Sequence, residues 1–157
     1  MRAFNVSHGG RQMGTSGTGP SSDSIAISRL PGTVAVNVYF HVIISNAGEG
    51  NIADSMLDQQ IVVLNDSYAG LTGAGSATTP YQFVKVWVDR TVNDAWFNAG
   101  PGASAEKEMK KALRKGTCKD LNLYTNSGGG YLGWAYYPWD CSKRFTDDGV
   151  VVLYAYR

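Results

Sequence analysis

Apolar positions along this chain fall into blocks with two different rhythms. Val34 to Ile44 (VAVNVYFHVII) is dense in β-branched and aromatic residues and predicts a strand. Leu57, Ile61, Leu64 and Tyr68 share one face of a helix that starts at Asp54, read as its cap, and stops at Gly70. Tyr81 to Val88 (YQFVKVWV) predicts a second strand, followed by a loop from Thr91 to Gly102 that contains Trp96 and Phe97. Ser104 opens a second helix, Ala105 to Lys115, with Met109, Ala112 and Leu113 turned inward; Gly116 ends it. Glu106 and Lys110 are read as a solvent-facing pair one turn apart. Three more strands follow, at Leu121–Thr125, Tyr131–Tyr137 and Val150–Tyr154. The order β-α-β-α-β-β-β predicts an α/β (α+β) fold, a mixed twisted five-stranded sheet with two helices packed on it. Both helices are expected on one face, leaving the other without cover. Residues 1–30, rich in Gly, Ser and Thr, read as a flexible leader, and residues 31–157 as one folded domain.

Composition narrows the function classes. Fourteen basic and thirteen acidic residues leave a net charge of +1, too weak a field to argue for nucleic acid or an anionic membrane as partner. The longest apolar run, Val34 to Ile44, is too short to cross a bilayer. The first residues run into a Gly/Ser/Thr-rich stretch without the basic-then-apolar pattern of a secretory signal, so no export signal is read in the chain.

Candidate chemistry is sparse. The two histidines are His8, in the leader, and His41, inside a strand. A catalytic zinc needs three protein ligands, and no His-Glu-x-x-His occurs, so no catalytic and no metal-binding residue is assigned and His41 is read as structural. No Gly-x-Ser-x-Gly elbow is present. The triplet Gly128–Gly130 precedes a strand, so it offers no helix N-terminus to a phosphate and is read as a turn. The basic stretch of the second helix carries interleaved Glu and is read as a solvated face. Asp147 and Asp148 could touch calcium, and a hairpin turn explains them equally well without a metal. Cys118 and Cys141 are either two buried thiols or one bridge. Asn5-Val6-Ser7 and Asn65-Asp66-Ser67 match the glycosylation tripeptide, which is common by chance.

Several segments together resemble the pappalysin-like metzincins, zinc metalloproteases whose fungal members are extracellular. They are VNVYFHVI (Val36–Ile43), VLNDSY (Val63–Tyr68), Trp96-Phe97, the helix Ala105–Leu113, DLNLY (Asp120–Tyr124), LGWA (Leu132–Ala135), Pro138-Trp139 and DGVVVLY (Asp148–Tyr154), in the family's order over residues 34–154. The resemblance implies the upper half of a metzincin catalytic domain, from a secreted endopeptidase that acts on protein or peptide substrates. The family's zinc is held by a following helix bearing His-Glu-x-x-His-x-x-Gly-x-x-His. That helix is not in this sequence, so the resemblance implies a chain truncated before it, inactive as it stands and not expected to bind zinc. It also implies that Leu132, Gly133, Trp134, Ala135 and Tyr136 form an edge strand to which substrate pairs, and that in a secreted protein Cys118 and Cys141 are oxidised to a disulfide. Without the missing helix, Val150, Val152 and Tyr154 are expected to be partly uncovered.

Overall fold

The computed structural model describes residues 32–155. The leader assigned to residues 1–30 lies outside them. Five strands form one sheet: β1 (Val34–Ile44), β2 (Tyr81–Val92), β3 (Leu121–Asn126), β4 (Gly133–Ala135) and β5 (Val150–Leu153), in the spatial order β2-β1-β3-β5-β4. Neighbouring strands run parallel except β4, which lies antiparallel to β5 at one border of the sheet. The helices are α1 (Asp54–Tyr68), the single turn α2 (Asp94–Phe97) and α3 (Ser104–Leu113).

Strand alternation sorts the core into two interiors. Val38, Phe40, Val42 and Ile44 of β1 join Leu123 of β3, Phe83 of β2 and Leu57 of α1 on one face. Ile43 of β1, Tyr124 of β3 and Val151 of β5 meet Met109 of α3 and Phe97 of α2 on the other. The two long helices therefore cover opposite faces, not the one face expected of them from the sequence. The α1 apolar stripe forms as its period requires, with Ile61 and Leu64 packed on the first cluster. Its C-terminus is closed by Gly70 at φ 78°, with Leu71 N–H bonded to Asp66 C=O at 2.9 Å and Gly70 N–H to Ser67 C=O at 3.3 Å. Its N-cap is Ala53 and not Asp54, whose carboxylate instead takes Arg90 of β2 at 2.6 Å.

Boundaries shift where side chains intervene. The second strand runs on to Val92, and Asn93 caps the α2 turn by accepting Trp96 N–H at 3.0 Å, within the stretch predicted as loop. The third helix ends at Leu113, because Arg114 leaves helical geometry (φ −52°, ψ 135°) and turns its guanidinium inward. The last strand ends at Leu153 and the border strand shrinks to three residues, cut off by turns at Gly128–Gly130 and Pro138–Asp140. The glycine turn is sterically required: a Cβ on Gly129 would stand 2.7 Å from Gly100 Cα. At the opposite border, Asn65 of α1 pairs with the Phe83 backbone, accepting its N–H at 2.7 Å and donating to its C=O at 3.0 Å, which satisfies part of the β2 edge. An amide engaged on both sides is poorly placed for a glycan.

Candidate functional site

His41 is fully buried on the α3 side of the sheet. Its Nδ1 lies 2.8 Å from Asp89 Oδ2, and its Nε2 donates to Asn122 Oδ1 at 3.0 Å. The ring stacks on Tyr124 with centroids 4.6 Å apart. Asn122 is itself oriented by the Lys115 backbone, whose N–H and C=O it meets at 2.9 Å each. The imidazole thus ties β1, β2 and β3 together and has no free nitrogen, which is the structural role read from the sequence. Burial pushes the Tyr124 phenol well above its ordinary range.

The second histidine, His8, lies outside the described residues, and among those residues no group of three or more His, Cys, Asp and Glu is arranged to hold a metal ion. The residues described do not fit the family's zinc, and no chemical step through it follows from them.

The site candidate is the border formed by β4. Its register pairs Gly133 with Val152, Trp134 with Val151 and Ala135 with Val150. Leu153 N–H donates to Leu132 C=O at 2.9 Å, so the backbone groups of Leu132 and Trp134 face β5. Gly133 and Ala135, in the alternating positions, turn their N–H and C=O outward. Glycine is needed at 133, since a Cβ there would stand 2.6 Å from Val151 O. Of the five residues assigned to this edge, Leu132, Gly133, Trp134, Ala135 and Tyr136, the ladder itself contains the central three; Leu132 and Tyr136 flank it.

One side of this strand is held by α3, through residues the sequence reading placed in solvent. Glu106 and Lys110 are among the most buried residues of the molecule, at 1% and 0% exposure, while Ala112, read as inward, is exposed. The buried stripe of α3 is Glu106, Met109, Lys110 and Leu113. Glu106 Oε1 accepts Trp134 Nε1–H at 2.7 Å and Lys110 Nζ at 2.9 Å, and its Oε2 accepts Gly102 N–H at 2.6 Å. Lys110 Nζ also donates to Asp147 C=O at 2.8 Å and lies 5.1 Å from the Tyr136 ring centroid. Burial works to raise the Glu106 carboxyl, but the bonds from Lys110, Trp134 and Gly102 outweigh it and hold the group below the ordinary glutamate range. A helix with so few apolar residues that still packs on a sheet has to bury charge. That shortage, together with the Trp downstream, was the available signal.

The return from β4 to β5 is anchored by a disulfide and an ion pair. Cys118 and Cys141 form a disulfide with Cα atoms 5.8 Å apart. Arg114 donates to Asp148 at 2.9 Å and to Thr117 C=O at 3.1 Å, and stacks 3.7 Å above the centroid of Phe145. Asp148 is therefore an ion-pair partner.

The other side of β4 opens into an apolar groove of about 950 Å³ whose floor includes Leu121, Leu123, Val150 and Val152 and whose walls include Leu57 of α1 and Tyr137. Val150 and Val152 are half-buried there, and Tyr154 borders the groove while its ring packs on Phe97 with centroids 5.4 Å apart.

No protein-family profile matches the chain. An extracellular metalloprotease of Colletotrichum graminicola is 41% identical over 125 residues, covering 76% of this chain and 41% of that protein. One of Neurospora crassa is 38% identical over 130 residues, covering 78% and 41%. Over these residues the chain is similar to extracellular metalloproteases. It spans about two-fifths of the length of these curated relatives. Among solved structures, mirolysin in complex with compound 9 superposes with a TM-score of 0.63 at 22% identity, covering 80% of this chain and 54% of that one. Tannerella forsythia mature mirolysin in complex with a cleaved peptide gives 0.59 at 22%, covering 78% and 53%. The fold read from the sequence, a mixed five-stranded sheet with helices, is that of mirolysin.

Proposed function

We propose that this chain is the substrate-holding part of a secreted zinc endopeptidase, and that β4 receives a protein or peptide substrate as an added strand. The observation that carries the reading is the outward row of backbone groups at Gly133 and Ala135, on a border strand that runs antiparallel to the rest of the sheet. A short, three-residue edge is a poor template for large-scale sheet growth but long enough to register one extended segment. The relative mirolysin has been solved with a cleaved peptide, which fits a peptide as the occupant.

We assign this edge the holding of substrate and not its cleavage; among the described residues no group of three or more His, Cys, Asp and Glu is arranged to hold a metal ion. A non-catalytic peptide-binding module built on residues 132–137 rests on the same edge; it differs only in lacking a catalytic partner. The groove beside β4 supports the protease reading. Its Leu123, Val150 and Val152 floor is what a further apolar segment of the intact enzyme would cover, and the buried Thr125 hydroxyl in that groove has no hydrogen-bond partner among the described residues. Secretion is supported by the names of the relatives and by the disulfide, a bond that persists in oxidising compartments.

Titration of the isotope-labelled chain with oxidised insulin B chain tests the reading. The amide resonances of Gly133 and Ala135 are expected to shift and to become protected from exchange, with no cleavage of the peptide and no zinc retained after dialysis. Shifts confined to β2, or none, would remove the edge-strand reading; chelator-sensitive cleavage would remove the claim that the chain only binds.

A further inference from the structure

The border strand is too short to hold itself. Three ladder residues on one neighbour supply few backbone bonds, and two-stranded contacts of this length are marginal in water. The side chains of its neighbours in sequence add little burial: Tyr131 and Leu132 before it and Tyr137 and Trp139 after it are more than half exposed. The strand nevertheless has one buried polar anchor, the indole N–H of Trp134 on Glu106 Oε1 at 2.7 Å. Glu106 is in turn fixed by the Gly102 N–H and by Lys110, which reaches on to the Asp147 and Gly149 carbonyls at 2.8 and 3.3 Å, just ahead of β5.

We infer that Glu106 is a positioning residue for the peptide-receiving edge: through Trp134 it sets the height and orientation of β4, and through Lys110 it locks the approach to β5 in the matching register. The inference uses the reading of β4 as a peptide edge only for its functional consequence; the latch itself is a property of this chain. The physical argument is one of direction and environment. A buried carboxylate with three donors cannot move without leaving charge unpaired in a dry interior, so its oxygen is a fixed point for whatever bonds to it. An apolar contact in the same place would hold Trp134 near α3 without fixing the rotation of the strand. That rotation decides whether the Gly133 and Ala135 N–H and C=O lie in the plane of an incoming strand.

Two substitutions separate latch from general packing. Trp134→Phe keeps an aromatic ring and removes the donor while leaving the Glu106–Lys110 pair in place. Glu106→Gln keeps a carbonyl acceptor for Trp134 and removes the charge. Hydrogen exchange by NMR at the β4–β5 ladder, read at Leu153 N–H against Phe40 N–H in β1, reports local order. Fluorescein-labelled oxidised insulin B chain reports docking. Trp134→Phe is expected to speed exchange at Leu153 about tenfold with Phe40 unchanged, and to weaken peptide binding by a similar factor. Glu106→Gln is expected to retain more of the Leu153 protection and peptide affinity than Glu106→Ala, even at equal loss of melting temperature. Unchanged exchange at Leu153 in Trp134→Phe would overturn the inference, as would equal losses in the Gln and Ala variants. If exchange responds as expected but the unmodified chain binds no peptide, the latch stands and the peptide-edge reading falls. If peptide binds the unmodified chain and Trp134→Phe alike, the latch falls and the edge reading stands.

Discussion

Val151 and Val152 are the same side chain on consecutive residues of one strand, and they enter two different interiors. Val151 is fully buried beneath α3, in a closed layer where Ile43, Tyr124 and Met109 are interleaved with the charged groups Glu106 and Lys110. Val152 lies on the α1 side, in a layer made of apolar residues with no buried charge in its cluster, yet half open because α1 covers only part of it. The face that contains the charges is the finished one. Apolar composition alone therefore does not say which side of this sheet is complete; coverage by a helix does, and α3 obtains its coverage by pairing and hydrogen-bonding every charge it brings inside.

The sharpest way to break that contrast is to unpair the closed side. Lys110→Met keeps the bulk of the side chain but leaves the Glu106 carboxylate buried with only Trp134 and Gly102 as donors. The loss is expected at about 3–5 kcal/mol, because one partner of a buried pair is left uncompensated. Adding Glu106→Gln to Lys110→Met is expected to recover a large part of it. Urea unfolding of the single and double variants measures both; a Lys110→Met loss below about 1 kcal/mol would mean that the pair is solvated in solution.

Next in size is the staple. The Cys118–Cys141 bond closes a loop that contains β3 and β4 and ends beside Arg114. Replacing both cysteines by alanine is expected to lower stability by about 3 kcal/mol in the loop-entropy account. Thiol titration of the denatured unmodified chain, without reductant, should find no free Cys.

The two valines then give the direct test. Val151→Ala is expected to cost about 2 kcal/mol, from lost burial plus a cavity that the packed α3 layer cannot fill, and Val152→Ala well under 1 kcal/mol because its groove is already open. Equal costs, measured by thermal unfolding, would show that the groove is covered in solution, for instance by a second copy of the chain.

How far each layer could be read from sequence follows the same division. Strands β1, β3 and β5 and the stripe of α1 were legible because their burial is apolar and periodic, and the family resemblance rested partly on those segments. The α3 contacts were not, because Glu106 and Lys110 at a spacing of four are the signature of a solvated pair; only the position of Trp134, Asp147 and Gly149 in space turns that spacing into a buried latch. The extent of β4 was overread for a related reason. Tyr131 and Tyr137 are good strand residues, but they belong to exposed flanks beside turns that end the ladder. The helices' placement on opposite faces was hidden as well, since it depends on the crossover direction between parallel strands and not on either helix's own pattern.

The smallest effect expected is in acid, and it again separates the two layers. Glu106 belongs to the α3 layer and has its carboxyl held down by Lys110, Trp134 and Gly102 despite its burial. A carboxyl that is lower in the folded than in the unfolded chain stabilises the fold wherever it is ionised in both states. That contribution is complete above the ordinary glutamate value of 4.5 and is lost as pH falls from there through the lower folded value. Asp120 follows the same sign: burial opposes, but the Thr117 backbone N–H and hydroxyl and the Asn37 amide hold it down, with its decline starting from 3.8. The α1 cluster itself is apolar; Asp54 at the start of that helix is also held down, by Arg90, but it lies on the exposed surface outside the cluster. Stability measured by urea midpoint should therefore be flat with respect to these two groups above about pH 5 and fall below it. Glu106→Gln should flatten the upper part of that fall and leave the Asp120 part in place, whereas Val152→Ala should shift the whole curve down without changing its shape. A Glu106→Gln curve parallel to that of the unmodified chain between pH 5 and 3 would mean that Glu106 is not ionised in the fold, and the account of α3 as a layer closed by paired charge would fail with it.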